Sequence, residues 1–217
     1  MADPTSRAGV RYVDPALLAF VERVHAAHDP ALERAFKAPA AEGMPEIQVA
    51  PSEGKLLGLL LRLIGARKVV EVGTLAGYSA LHMARALPED GKLYTIEFEP
   101  KHAEVARANL AAAGLASRVE IRVGPGNEVL PQLSPLGPFD ALFLDADKQG
   151  YPQYAAWGAR NLRKGGLLIA DNSYFFGKLL EDEPAARAMR RFHEELPSEF
   201  DSVCAPTPDG LVIAIKR

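Results

Sequence analysis

The sequence predicts a doubly wound α/β fold built on one mostly parallel sheet of seven strands. Three observations carry that expectation. Between Arg67 and Asp171 short β-rich runs alternate with helical ones. Such alternation demands right-handed βαβ crossovers and a sheet covered on both faces. Two more β-rich stretches follow near the C-terminus, separated by the turn signal Asp209-Gly210, so they can pair as an antiparallel hairpin. Finally, the junction after the first run, Glu71 to Ser79, places two glycines four residues apart where a strand must turn into a helix.

The elements follow in order. Residues 1–66 read as a helical extension and 67–217 as the core of a single domain. A helical pattern covers Pro15–Lys37, with Leu17, Leu18, Val21, Val24 and His25 at helical spacing and Pro15 suited to a first turn. A loop rich in Pro, Ala and Gly spans Ala38–Ala50. Pro51-Ser52-Glu53 opens a second helix through Leu56, Leu57, Leu59, Leu60 and Ile64. Strands are expected at Lys68–Val72, Lys92–Glu97, Val119–Val123, Ala141–Asp145 and Gly166–Asp171, with intervening helices starting near Gly77, Pro100, Asn127 and Tyr151. A helix near Pro184–Glu195 precedes the last stretches, Glu199–Cys204 and Leu211–Ile215. No repeat or low-complexity segment interrupts this order.

Composition narrows the class. The chain has 217 residues, of which 48% are hydrophobic and 24% charged, values that support a packed core. Its formal charge of −3 comes without a concentrated basic stretch, which argues against a nucleic-acid partner. The single cysteine, Cys204, excludes an internal disulfide, fits a reducing compartment and reads as buried structure. Residues Met1–Arg7 lack an apolar leader core. The longest apolar run, Leu56–Ile64, is broken by Gly58 and Arg62 and is too short for a bilayer, so a cytoplasmic protein without a membrane partner is expected. The five histidines lack ligand spacing, which argues against zinc.

In open α/β sheets ligands bind beyond the carboxyl ends of the strands. The Gly73…Gly77 turn lets the backbone approach a ligand and presents free N–H groups at a helix start. It is neither a Gly-x-Gly-x-x-Gly nor a P-loop sequence, which weakens dinucleotide and nucleoside triphosphate readings. The second strand ends in Glu97, an acid placed to accept from ribose hydroxyls.

The segment Val70–Pro100, with Glu-Val-Gly-Thr-x-x-Gly-Tyr-Ser and Tyr-Thr-Ile-Glu-x-x-Pro, resembles the metal-dependent O-methyltransferases that include catechol and caffeoyl-CoA O-methyltransferases. The resemblance continues through Gly124-Pro125-Gly126, Phe139–Lys148 and Gly165–Asn172, and covers nearly everything from Pro45 onward. It implies a Rossmann-like class I methyltransferase fold that binds S-adenosylmethionine. The turn residues Glu71, Gly73, Thr74, Gly77, Tyr78 and Ser79 are then expected at the cofactor, with Gly73, Tyr78 and Ser79 along its methionine part. Glu97 would hold the ribose, Gly124, Pro125 and Gly126 would pass the adenine, and Val49 and Asp145 would pack near the cofactor. Homodimers are common among the proteins it resembles.

The acids give the chemistry. Asp145 ends the fourth strand and Asp171-Asn172 the fifth, and neighbouring strands lie ~4.8 Å apart, so their oxygens can converge. Two carboxylates and an amide form a hard donor set suited to Mg²⁺ or Mn²⁺, with Ca²⁺ also compatible, rather than Zn²⁺. A phenol with a pKa near ~10 is mostly protonated at neutral pH, and a cation bound by two adjacent oxygens favours the phenolate. Lys148, three residues past Asp145, reaches the same place; the resemblance makes it the general base. Asp147 is left outside the ligand set.

The expected acceptor is a small hydroxylated aromatic, walled by Ala38–Ile47 and by Ser173–Lys178 with its three aromatics. The tryptophan common in that loop among the resembling proteins is absent, and no basic patch announces a coenzyme A tail. Trp157 reads as packing or a dimer face. Two other readings stay open: a methyltransferase that works without metal or on nitrogen, and a nucleoside-binding protein without turnover.

Overall fold

The computed structural model describes residues 14–217; the Met1–Arg7 stretch read for a leader lies outside them. Its strands are β1 (Lys68–Val72), β2 (Lys92–Glu97), β3 (Val119–Val123), β4 (Phe139–Leu144), β5 (Leu162–Ala170), β6 (Phe200–Ala205) and β7 (Leu211–Lys216). They form one sheet in the order β3-β2-β1-β4-β5-β7-β6. The first five are parallel; β7 runs antiparallel to β5 and to β6, the hairpin expected around Asp209-Gly210. The chain steps outward from β1 through β2 to β3, then returns to lay β4 on the other side of β1. That reversal opens a crevice above the β1 and β4 ends.

The helices are α1 (Pro15–His25), α2 (Pro30–Ala41), α3 (Pro51–Leu63), α4 (Tyr78–Ala86), α5 (Pro100–Ala112), α6 (Gly126–Leu133), α7 (Tyr151–Asn161) and α8 (Pro184–Glu195). Alternation along the strands distributes them. Val70, Val72, Leu142, Leu144, Leu168 and Ala170 face α6, α7 and α8, burying Leu133, Trp157 and Phe192. Val69, Leu93, Ala141, Phe143, Leu167 and Ile169 face the opposite side, against Leu57 of α3, Met83 of α4 and Leu110 of α5. Both faces are therefore apolar and covered, as a parallel sheet requires. Among the described residues no helix is long and apolar enough to cross a membrane.

Three expectations need correction. The helical pattern over Pro15–Lys37 is two helices, because Pro30 lacks an N–H and disfavours helical backbone at the residue before it. Asp29 is accordingly extended (φ −83°, ψ 173°) and caps α2 through Ala31 N–H and Leu32 N–H at 2.9 and 3.0 Å. The loop expected from Ala38 starts later, since α2 runs to Ala41 with Pro39 in its last turns. Cys204 is half-buried on β6, at the rim of the core rather than inside it. Trp157 resolves to packing: it is buried and donates from Nε1 to Ser134 Oγ at 2.9 Å.

Asp29 also accepts from Arg85 of α4 at 2.5 Å, tying the extension to the core. Replacing it with alanine is expected to cost about 1 kcal/mol, lowering the thermal midpoint by about 2–4 °C. The Arg85 hydrogen bond holds the Asp29 carboxyl below its ordinary value. A depressed native value means this stabilisation is present above the unfolded carboxylate range and lost as pH falls through the folded one. Melting curves of wild type and Asp29→Ala should therefore converge below a pH of about 4; a gap that persists there would contradict the ionic part of the tie.

Candidate active site

Ladder hydrogen bonds continue one residue past several strand ends, and this builds the site. Gly73 N–H donates to Ile96 O, Asp145 N–H to Val72 O, Asp171 N–H to Leu144 O and Gly124 N–H to Glu97 O, each at 2.9 Å. A cavity of about 1070 Å³ opens along this edge. Its walls include Val49, Gly73, Thr74, Tyr78, Ser79, Glu97, Gly124, Pro125, Gly126, Asp145, Lys148 and Asn172, all singled out in the sequence. Glu71, Gly77 and Asp171 lie behind those walls.

The glycine turn is shaped by contact. Gly73 has φ +99°, and a Cβ there would sit 1.9 Å from the carbonyl oxygen of Asp145. Only glycine lets the ends of β1 and β4 close to this distance. Glu97 Oε2 accepts from Thr74 N–H at 3.0 Å and Leu75 N–H at 2.7 Å, and Oε1 from Glu99 N–H at 2.9 Å. The acid thus holds the turn's backbone while it lines the cavity. Beneath it, Glu71 is fully buried and accepts from Ser79 Oγ and Thr95 Oγ1. Burial pushes its pKa up to about 8. Tyr78 Oη pairs with His28 Nε2 at 2.7 Å, and His28 Nδ1 with Glu33 Oε2 at 2.9 Å, so the extension braces the cavity wall.

At the β4 and β5 ends the acids crowd. Burial, then the charges of Asp145 and Glu53, pushes Asp171 up to about 7. Burial likewise raises Asp145 and Glu53, against which Lys148 pulls Asp145 down. Lys148 Nζ lies 3.4 Å from Asp145 Oδ1 and 2.7 Å from Tyr151 Oη, with its side chain 10% exposed. Asn172 adopts a left-handed backbone (φ +52°), and its N–H donates to Asp171 Oδ1 at 2.7 Å. Among the described residues no three His, Cys, Asp or Glu side chains gather as a metal-binding group. Any cation would rest on the two carboxylates with the Asn172 amide.

The acceptor walls differ from expectation. Of the three aromatics after Asn172 only Phe176 lines the cavity; Phe175 belongs to the core and Tyr174 packs over Gly210. Phe175 and Phe176 both have positive φ, and of these neighbours the first is buried and the second exposed. From the segment Ala38–Ile47 only Ile47 reaches the cavity.

A model of the O-methyltransferase family matches residues 22–216. The chain belongs to that family. It is 49% identical over 201 residues to a catechol O-methyltransferase of Niastella koreensis, spanning 87% of this chain and 91% of the relative. It is 44% identical over 213 residues to a catechol O-methyltransferase of Mycobacterium tuberculosis, spanning 94% and 96%. Among solved structures, an O-methyltransferase from Bacillus cereus in complex with SAH superposes with a TM-score of 0.89 at 35% identity, over 93% of this chain and 97% of that one. TomG from Streptomyces achromogenes, in complex with SAM, gives 0.87 at 35%, over 93% and 96%.

Some of the methyltransferase's cavity residues carried no sequence signal. Tyr154 donates to Asp147 Oδ1 at 2.6 Å, and its ring fills the space where a Cβ on Gly126 or Gly150 would fall, at 2.8 and 2.3 Å. The spacing of Tyr154 from Asp147 is visible in the sequence, but nothing there says which way the ring turns. Glu71 offers a test. Its native pKa lies above the ordinary 4.5, so the folded state keeps a proton that the unfolded state releases. This contribution is complete below the unfolded value and lost as pH rises toward about 8. Glu71→Gln, unable to ionise, should gain on wild type in thermal midpoint by a few degrees between pH 5 and 8; parallel curves would place an ionised Glu71 in the native protein.

Proposed function

We propose that this enzyme transfers the methyl group of S-adenosylmethionine to a hydroxyl of a small catechol-like aromatic acceptor, using a divalent cation and Lys148 as general base. The observation that carries this reading is the setting of Lys148: a nearly buried amine on the cavity wall, beside an acid at the end of β4. The solved relatives holding SAH and SAM support the cosubstrate, and the relatives named for catechol support the acceptor. The cavity, at about 1070 Å³, exceeds what one ligand of ordinary size requires, so a nucleoside and an acceptor fit together. Ile47 and Phe176, 69% and 63% exposed at its walls, offer apolar surface to a flat ring.

The donor set fits a hard divalent cation. Asp171 is raised to about 7 because burial and neighbouring acids penalise its charge, a penalty that a cation would reverse. Asp145, Asp171 and Asn172 would hold it, with positions left for water or acceptor oxygens. Bound there, Mg²⁺, Mn²⁺ or Ca²⁺ would stabilise the acceptor oxygen as an anion. The turn from Gly73 to Ser79 and Glu97 would hold the methionine and ribose parts. In the transfer the acceptor oxygen bonds to the methyl carbon as the carbon–sulfur bond breaks. Sulfur keeps that electron pair and leaves as a neutral thioether. The hydroxyl proton passes to Nζ of Lys148 in its neutral amine form.

Methyl transfer from labelled S-adenosylmethionine to ortho-dihydroxy aromatics should vanish in excess EDTA and return with Mg²⁺. Equal turnover in EDTA would sink the cation. Lys148→Ala should lower kcat by about 10²–10⁴-fold with cosubstrate affinity retained in calorimetry. Asp171→Asn should abolish the response to added Mg²⁺ while leaving S-adenosylmethionine binding measurable.

A further inference from the structure

We propose that Tyr151 is the positioning residue for Lys148, its hydroxyl aiming the lysine amine relative to the two strand ends that carry Asp145 and Asp171. This rests on the reading of Lys148 as general base. Tyr151 opens α7, is fully buried, and packs edge-on to Phe192 at 5.5 Å. Its Oη lies 2.7 Å from Lys148 Nζ and 3.0 Å from each of Leu144 O and Asp171 O.

With Lys148 charged, these partners fix the direction of every bond. Carbonyl oxygens only accept, and a phenol has one hydrogen. That hydrogen goes to Leu144 O or Asp171 O, so the oxygen must accept from the lysine. The charged Lys148 therefore points one N–H at Tyr151. Loss of another of its protons leaves the lone pair turned away from the tyrosine, on an amine that lines the cavity. The Tyr151 ring stands under the same amine, 4.7 Å from Nζ to centroid, and limits its swing.

The two carbonyls matter because of where they sit. Leu144 immediately precedes Asp145, and Asp171 is itself one of the acids. One hydroxyl thus references the amine to the ends of β4 and β5 together. A lysine side chain has many rotamers, and a free one would sample many positions around an acceptor. Held this way, it meets one of two neighbouring acceptor hydroxyls in preference to the other. The selection of which oxygen is methylated would follow from that aim.

The test is a double-mutant cycle with Tyr151→Phe and Lys148→Ala, assayed on a catechol whose two hydroxyls are distinguishable. Tyr151→Phe keeps the ring against Phe192 and removes only the hydroxyl. It should lower kcat by about 10- to 10²-fold and bring the two O-methyl products toward equal amounts. The dissociation constant for S-adenosylmethionine, measured by calorimetry without acceptor, should stay unchanged. In the Lys148→Ala background the same change should have less than a twofold further effect, since residues acting as a unit are not additive. Multiplying effects, or a Tyr151→Phe enzyme with wild-type kcat and product ratio, would overturn the proposal while Lys148 kept its role. Wild-type turnover in Lys148→Ala alone would overturn the base assignment, and this proposal with it.

Discussion

Everything at the carboxyl edge depends on how closely the ends of β1 and β4 approach. With no side chain at Gly73, the Asp145 carbonyl comes to a distance that a Cβ would occupy at 1.9 Å. That closeness is set by the ladder, in which Asp145 N–H bonds Val72 O just beyond the last paired residues, Val72 and Leu144. The turn from Gly73 to Ser79 and the acid at position 145 are then two sides of one junction. A group bound on the turn is held beside the acid without further machinery. This is the reversal point of the sheet, and the strand order puts it there.

Charge is the second constraint. Burial opposes ionisation of Glu53, Asp145 and Asp171, whose charges act on one another, and the Lys148 amine is placed beside Asp145. A fold selected for stability alone would not keep such a group, because an uncompensated buried charge costs several kcal/mol. Glu71 differs. It lies deeper, its oxygens are met by Ser79 and Thr95 hydroxyls, and keeping its proton relieves the cost. One end of the junction is thus quiet and hydrogen-bonded, and the other carries acids whose charge burial opposes.

Legibility in the sequence followed the same division. The parallel core was readable because strand, glycine turn and helix start repeat with short spacing, and the strand-end acids were readable as acids in register. The break between α1 and α2 was also written in the sequence, as Asp29-Pro30, but the apolar spacing on both sides masked it. The cavity walls were less legible. Phe175 and Phe176 are adjacent aromatics with opposite fates, decided by left-handed backbone that no residue type there announces. Glu71 reads as part of a binding turn, yet alternation along β1 sends its side chain under the floor. A fully buried strand glutamate is identified by its hydroxyl partners, and these come from other elements, β2 and α4.

The two tyrosines of α7 show why site residues hide. Tyr151 and Tyr154 are three apart, so they share one helix face, and in sequence that face reads as core. Core is also what their rings are. Side chains on a helix lean toward its N-terminus, which carries both hydroxyls back over the segment that precedes the helix. There Tyr151 meets Lys148 and Tyr154 meets Asp147. The strand ends therefore supply the acids, and the first turn of the next helix supplies the orientation of the residues between them. One aromatic face serves packing through its rings and holds cavity-lining residues through its oxygens, and periodicity alone registers only the first.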